Sequence, residues 1–204
     1  MRVLCAFSDV ATFSNLRVDF ARAREDRSVV FQGGGIKQSL WFQNLRVLAA
    51  LTTWSVISYR FSHWVRNLRV PVLKQLLMVV AVLYQRWAEL WTGVYIHSGA
   101  EIGPGLLIHT PYGICIGPAK IGQNLTVGTG VLIAGGSRGI GDDVYFGPGA
   151  KLIGNAKIGN NVVIVANSVV LTDVGDNTTI MGVPARIKLP GGQPKKFKKV
   201  RVPA

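Results

Sequence analysis

The sequence predicts a parallel β-helix carried behind a helical region, and three observations predict it. An apolar residue returns every six positions from Ile96 to Val170, and glycine often follows it. The stretch before it, residues 36–92, has no such period and is rich in Leu, Val, Trp and Arg. Helices need an apolar return about every 3.6 residues and ordinary strands every second residue, so neither produces a strict six. A six-residue period is the mark of short strands wound into a coil, with three sides making a turn of about 18 residues.

The period can be followed residue by residue. Ile96, Ile102, Ile108 and Ile114 hold one register; Ile121, Val127 and Ile133 resume it; Ile140, Phe146, Leu152, Ile158, Ile164 and Val170 carry it on. Only the steps Ile114–Ile121 and Ile133–Ile140 are seven residues long. These apolar residues are expected to point down the axis and stack turn upon turn. Nineteen of the 24 glycines lie between Gly93 and Gly182, where tight corners need them.

Four segments follow from this. Residues 1–35 read as a lead-in, loosely structured or partly helical, ending at Gly33-Gly34-Gly35. Residues 36–92 read as helical, with helices at about 37–67 and 72–91 divided by Pro71. Residues 93–187 form the coil. Residues 188–204 form a basic tail, without an acid and with two Pro/Gly breaks, that cannot build a core and is expected to be disordered.

The +13 net charge is carried by the flanks: residues 1–93 are +7, the coil residues 94–185 are −1, and residues 186–204 are +7. Such flanks suit an anionic partner, whether a membrane surface or a phosphorylated cofactor, or simply a solvated face. Nucleic acid is not expected, because no stacking platform or binding module accompanies the lysine run. The longest apolar run in the second helix, Leu76–Tyr84, is far short of the roughly 20 residues a membrane span needs. Two readings of residues 36–91 remain: a helical cap packed on the coil and on partner subunits, or helices resting on a membrane surface. Five tryptophans between Trp41 and Trp91 suit either one. The first residues lack an apolar run and cleavage site of signal-peptide type, which predicts a cytoplasmic protein, peripheral at the inner membrane face if the helices rest there.

Chemistry-bearing residues are few. Cys5 and Cys115 make no disulfide framework, and Cys115, inside the coil, is expected to be a buried thiol. His63 sits in the helical part and reads as a packing residue. His97 and His109 each follow an axial isoleucine, and their twelve-residue separation puts them on different sides of the coil. A zinc site needs about three converging ligands, so no metal is expected.

Three segments carry a resemblance: Val-Tyr-Ile-His-Ser-Gly-Ala-Glu-Ile-Gly-Pro-Gly (94–105), Gly-Leu-Leu-Ile-His-Thr-Pro-Tyr-Gly-Ile (105–114) and Gly-Val-Pro-Ala-Arg-Ile (182–187). They resemble the serine acetyltransferase family, whose members are left-handed β-helix, hexapeptide-repeat acyltransferases. Asn-Ser-Val-Val-Leu-Thr-Asp-Val (167–174) is similar to the family's closing coil, and Tyr-Arg-Phe-Ser-His (59–63) to the helical segment of its polysaccharide-biosynthesis branch. The resemblance implies acetyl transfer from acetyl-CoA to a hydroxyl, in a homotrimer with active sites between subunits and a histidine as general base. Imidazole suits that role because its ordinary pKa lies near neutrality.

The sequence departs from the family at the site. The family's catalytic histidine falls on Thr110, with His109 one place early, and its aspartate falls on Tyr95. A further histidine near Gly136-Ser137-Arg138-Gly139 is absent from a shortened loop. His109 is therefore open to three roles: base, polar residue of the cleft, or structural histidine. A local re-registering of the coil would let it reach the family's position. Tyr95 could donate a hydrogen bond but carries no carboxylate charge, and His97 reads as structural or substrate-lining. By the same resemblance, Ala134, Gly135, Gly147 and Ala166 lie beside the pantetheine arm of CoA, and Arg186 and Lys188 near its phosphates. Coil geometry alone would also call for those small residues. The function expected is an acetyl-CoA-dependent O-acetyltransferase acting on serine or a sugar-type hydroxyl. The alternatives are a non-catalytic scaffold or regulatory coil of a polysaccharide-biosynthesis complex and an amino-sugar N-acetyltransferase.

Overall fold

A computed structural model describes residues 10–31, 50–68 and 70–187. Among the described residues, three helices precede the coil: α1 (Val10–Phe31), α2 (Leu51–Arg66) and α3 (Pro71–Thr92). Helix α1 falls in the lead-in. Of the helix expected over 37–67, the part before residue 50 lies outside the described residues. Pro71 opens α3, where its missing N–H and preset φ cost nothing. Gly93 closes it in the left-handed region (φ 61°), its N–H donating to the Glu89 carbonyl at 2.8 Å, and turns the chain directly into the first strand.

The coil has three flat sides and makes about five turns. Side A stacks β1 (Val94–Ile96), β4 (Ile114–Ile116), β7 (Leu132–Ile133), β10 (Lys151–Leu152) and β13 (Val169–Val170). Side B stacks β2 (Glu101–Ile102), β5 (Lys120–Ile121), β8 (Gly139–Ile140) and β11 (Lys157–Ile158). Side C stacks β3 (Leu107–Ile108), β6 (Thr126–Val127), β9 (Tyr145–Phe146), β12 (Val163–Ile164) and β14 (Thr179–Met181), and β15 (Arg186–Ile187) closes it antiparallel to β14. All other pairings are parallel. The axial column is buried throughout; Ile116, Val127, Ile133, Phe146, Leu152 and Ile164 have no exposed surface.

One expectation about register is corrected. Ile116, not Ile114, stacks between Ile96 and Ile133, while Ile114 lies beside Val94. The irregularity is thus an eight-residue step from Ile108 to Ile116 and a five-residue step to Ile121. The extra residues are in the corner after β3, where Tyr112 (φ 78°) and Gly113 (φ 69°) reverse the chain. The Tyr112 N–H donates to the Thr92 carbonyl at 2.8 Å, fastening this wider corner to the end of α3. Both isoleucines are buried because β1 and β4 are three residues long and turn both ends inward. Cys115, between them, points the other way. It is half-buried instead of buried, and desolvation followed by the Glu89 charge pushes its thiol above its ordinary range.

The helices are held to the coil by buried polar groups. The Asp19 carboxylate of α1 accepts from the Gly105 and Leu106 N–H groups (2.7 and 2.8 Å) and from Arg60 of α2 (2.9 Å). Arg60 also donates to the carbonyls of Ile102 and Gly103 at 2.6 and 2.7 Å. Arg22 donates to the carbonyls of Gly105 and Leu125 and, at 2.7 Å, to the Thr126 hydroxyl. Tyr59 donates to the Ala100 carbonyl (2.8 Å) and accepts from the Ile102 N–H (3.2 Å). His63 approaches the Ser98 carbonyl with Nδ1 at 3.3 Å and packs near Tyr59, a packing residue on the helical side.

Two outcomes are expected. Asp19→Ala strands the buried Arg60 guanidinium and two coil amides, which costs about 3–5 kcal/mol, whereas the paired change Asp19→Leu with Arg60→Met costs far less. Urea unfolding of the three proteins checks the difference. Burial also pushes the Tyr59 hydroxyl up from 10.0 to about 12, with Arg60 pulling the other way. The folded state keeps this proton after the unfolded chain has lost it. Stability therefore falls as pH rises from about 10 to about 12, by about 2–3 kcal/mol from this group. The same unfolding measured in Tyr59→Phe should lack that part of the decline; an identical slope would assign the loss to other groups.

Candidate active site

The site follows from what the wide corner after β3 does to its residues. His109 is the first residue past the axial Ile108, and its N–H donates to the Val127 carbonyl at 3.1 Å. Its side chain is exposed, as is that of Thr110. On the next two turns the positions beneath it are Gly128 and Gly147, so no side chain stands under the imidazole. The ring therefore reaches Tyr145 of β9, two turns along, with ring centroids 6.3 Å apart and planes 68° apart. Tyr145 was not singled out in the sequence, although its place before the axial Phe146 marks it as outward-facing on the same side.

His97 sits at the other end of side A, past Ile96, and the two histidines occupy different corners as their spacing predicted. Its Nδ1 accepts the Gly99 N–H at 3.0 Å, so in the neutral ring the proton is on Nε2. Tyr95, half-buried in the middle of β1, faces outward with its ring 6.4 Å from that of His97. The chain thus brings Tyr95 and His97 together, at the corner of side A opposite to that of His109 and Thr110.

The residues expected beside CoA divide the same way. Gly147 and Ala166 lie at the His109 corner, and Ala134 and Gly135 at the His97 corner. Gly147 is buried, and both of its backbone groups are used by the coil: its N–H by the Ile164 carbonyl (2.8 Å) and its carbonyl by the Ala150 N–H (3.0 Å). A Cβ there would stand 2.6 Å from the Ala166 nitrogen, so the coil itself demands glycine. Ala166 and Gly135 are exposed, and Ala134 is half-buried with its N–H donating to Leu152 at 2.9 Å. Arg186 is exposed at the end of side C; Lys188 lies outside the described residues.

A groove of about 800 Å³ lies elsewhere. It runs along side B between Lys120, Gly139 and Lys157 and is walled by Arg60 and His63 of α2. Its lysines face carboxylates, Lys120 with Glu101 at 3.6 Å, and neither histidine of the coil lines it. No group of three His, Cys, Asp or Glu side chains able to hold a metal occurs among the described residues. Side A carries an exposed imidazole at one edge and exposed small residues at both.

Comparison with known proteins agrees. The bacterial transferase hexapeptide (six repeats) family matches residues 139–172. A serine acetyltransferase of Synechococcus elongatus is 36% identical over 141 residues, 65% of this chain and 55% of that protein. One from Staphylococcus epidermidis is 35% identical over 174 residues, 81% of this chain and 77% of that protein. A serine acetyltransferase solved in complex with CoA superposes with a TM-score of 0.69 at 28% identity, over 89% of this chain and 71% of that one. The coil is the left-handed β-helix of those acyltransferases, and with more than a third of the aligned residues identical along most of a curated relative, the chain belongs to the serine acetyltransferase family.

Proposed function

We propose that this chain transfers the acetyl group of acetyl-CoA to the hydroxyl of serine or of a sugar-type acceptor, with His109 as general base. The observation that carries the reading is the exposed His109 imidazole at the corner of side A, above a shelf emptied by Gly128 and Gly147. There it takes the proton of the acceptor hydroxyl while the oxygen attacks the thioester carbonyl. The tetrahedral intermediate then collapses, the carbon–sulfur bond breaks, and the imidazolium returns the proton to the CoA thiolate. One C–O bond forms, one C–S bond breaks, and the base ends as it began.

The acceptor hydroxyl needs orientation. The family's aspartate position is Tyr95, which offers a neutral hydroxyl, and the family's histidine position is Thr110, which offers another beside His109. Both suit a polyhydroxylated acceptor held by hydrogen bonds as well as they suit serine. For acetyl-CoA, Ala166, Ala134 and Gly135 supply flat exposed surface for the pantetheine arm, and Arg186 a cation for the phosphates. Gly147 acts only by leaving its place empty.

The geometry also supports a homotrimer. The His109 corner and the His97 corner border opposite edges of side A, so a cleft using both is completed by a neighbouring copy. Sedimentation equilibrium is expected to give three times the 22.1 kDa chain mass, or a multiple of it.

CoA thiol release from acetyl-CoA, with serine and with a panel of sugars, tests the activity. Release with one acceptor is expected, and His109→Ala should lower kcat by about 10²–10⁴-fold with little change in the KM for acetyl-CoA. Release that survives the variant moves the base to Tyr95, Thr110 or His97. A protein that binds CoA but releases none with any acceptor is instead a non-catalytic coil, the reading that Thr110 at the family's histidine position favours.

A further inference from the structure

Helix α3 carries a wide apolar arc, interrupted on one side by Lys74, Gln75, Gln85, Arg86 and Glu89, and only a narrow stripe of that arc is covered. Ala81 and Ala88 pack toward α2, with Leu77 against Val65, Leu68, Phe61 and Trp64. The opposite side carries Val72, Leu76, Val79, Leu83 and Leu90, and the three leucines, seven residues apart, are 67, 65 and 86% exposed. The apolar face of a surface helix is normally covered, and a large exposed one marks a site of association. No helix among the described residues is long and apolar enough to cross a membrane.

From this face we infer a membrane-surface docking site, in which α3 lies flat in the headgroup region of a bilayer containing anionic lipid. Three observations favour lipid over a second copy of the chain. First, the apolar arc is wide. The seven-residue leucine spacing alone would suit a paired helix, but exposed Val80, Trp87 and Trp91 widen the apolar arc on one side, and only the other side is bordered by charges, the Arg86–Glu89 pair. A paired seam covers a narrow stripe, and its flanks usually carry charges; a bilayer covers the whole arc. Second, an aromatic cluster stands at one end of the face. Trp54, Trp87 and Trp91 are 38, 48 and 61% exposed, and Trp87 lies 6.4 Å from each of the other two. Tryptophan has an apolar ring and one N–H donor, which suits the boundary between acyl chains and headgroups. Third, the charge is complementary. Residues 36–91 hold seven basic residues and one acid; Arg60 is buried against Asp19 and Arg86 pairs with Glu89 at 2.8 Å, which leaves five further basic residues in the segment. Anionic headgroups attract such a segment, while the neutral coil adds no repulsion.

The site shares no residue with the catalytic reading. The test is flotation of the full chain with vesicles of phosphatidylcholine mixed with phosphatidylglycerol, and with phosphatidylcholine alone. Flotation with the mixed vesicles is expected, weakened by added salt. Leu90→Gln should lower the partition coefficient about tenfold and Leu76→Gln with Leu83→Gln further still. CoA thiol release without vesicles should be unchanged. In the unaltered protein, brominated acyl chains should quench tryptophan emission, a readout that needs no variant to fold. Protein left at the bottom of the gradient with both vesicle types, or unquenched tryptophan, overturns the proposal. So does a fall in assembly mass by light scattering when the leucines are changed without vesicles, since that makes a second copy the occupant.

Discussion

The rest of the structure depends on the distance between successive turns of the coil, the roughly 4.8 Å that parallel strands impose. At that spacing each axial side chain must sit directly on its equivalent, which is why Ile96, Ile116, Ile133, Leu152 and Val170 form one unbroken column under side A. The same spacing leaves little room at the corners. A Cβ on Gly128 would come within 2.8 Å of the Pro148 nitrogen, and one on Gly147 within 2.6 Å of the Ala166 nitrogen. Two successive side-chain-free positions are therefore a packing necessity before they are anything else. Their consequence is the clear space under His109, across which the imidazole reaches Tyr145. A requirement of the fold makes the shelf on which the chemistry can occur.

A second constraint sets where the helices lie. Asp19 and Arg60 are almost fully buried, and taking two charges out of water is costly, so their pairing is weak evidence for stability. What the pair does supply is direction. Asp19 satisfies two amides at the bend between β2 and β3, Arg60 two carbonyls just before it, and Arg22 reaches the next turn at Leu125. An apolar contact would tolerate sliding by a residue; these bonds do not. With α2 so fixed, α3 can only pack along its outer side, and its leucine face is left turned away from the coil.

Much of the coil was legible because one simple rule, an apolar residue every six, governs it. The same rule placed the two histidines on different sides. It failed at Ile114 and Ile116, where two isoleucines two residues apart satisfy it equally well. Choosing between them needs the backbone of the Tyr112–Gly113 corner, whose bond to Thr92 no local pattern announces. Cys115 was misjudged because it was read as lying inside the coil, whereas the middle residue of a three-residue strand faces outward whichever isoleucine is axial. The clamp was illegible for a different reason. Asp19, Arg22 and Arg60 look like ordinary surface charges in sequence, and only the meeting of α1, α2 and the coil makes them partners.

The wide corner also bears on the one-place offset of His109 from the family's histidine. In a coil side a shift by one turns a side chain from one face to the other, as in any strand. His109 and Thr110, however, stand in a corner that is longer than its counterparts and bonded at Tyr112 to the end of α3. Neither is held by the alternation of a strand, and both are exposed. The extra residues therefore loosen the link between position number and direction at the place where the family pattern is broken. Tyr95 has no such freedom. It lies in the middle of β1, paired with Cys115, and faces outward on side A whatever the corner does. The loss of a carboxylate there cannot be offset by re-registering, so under the proposed acetyl transfer the acceptor would meet a neutral hydroxyl in place of a charge. That substitution weighs more heavily on which hydroxyl compound is accepted than on whether the imidazole can act as a base.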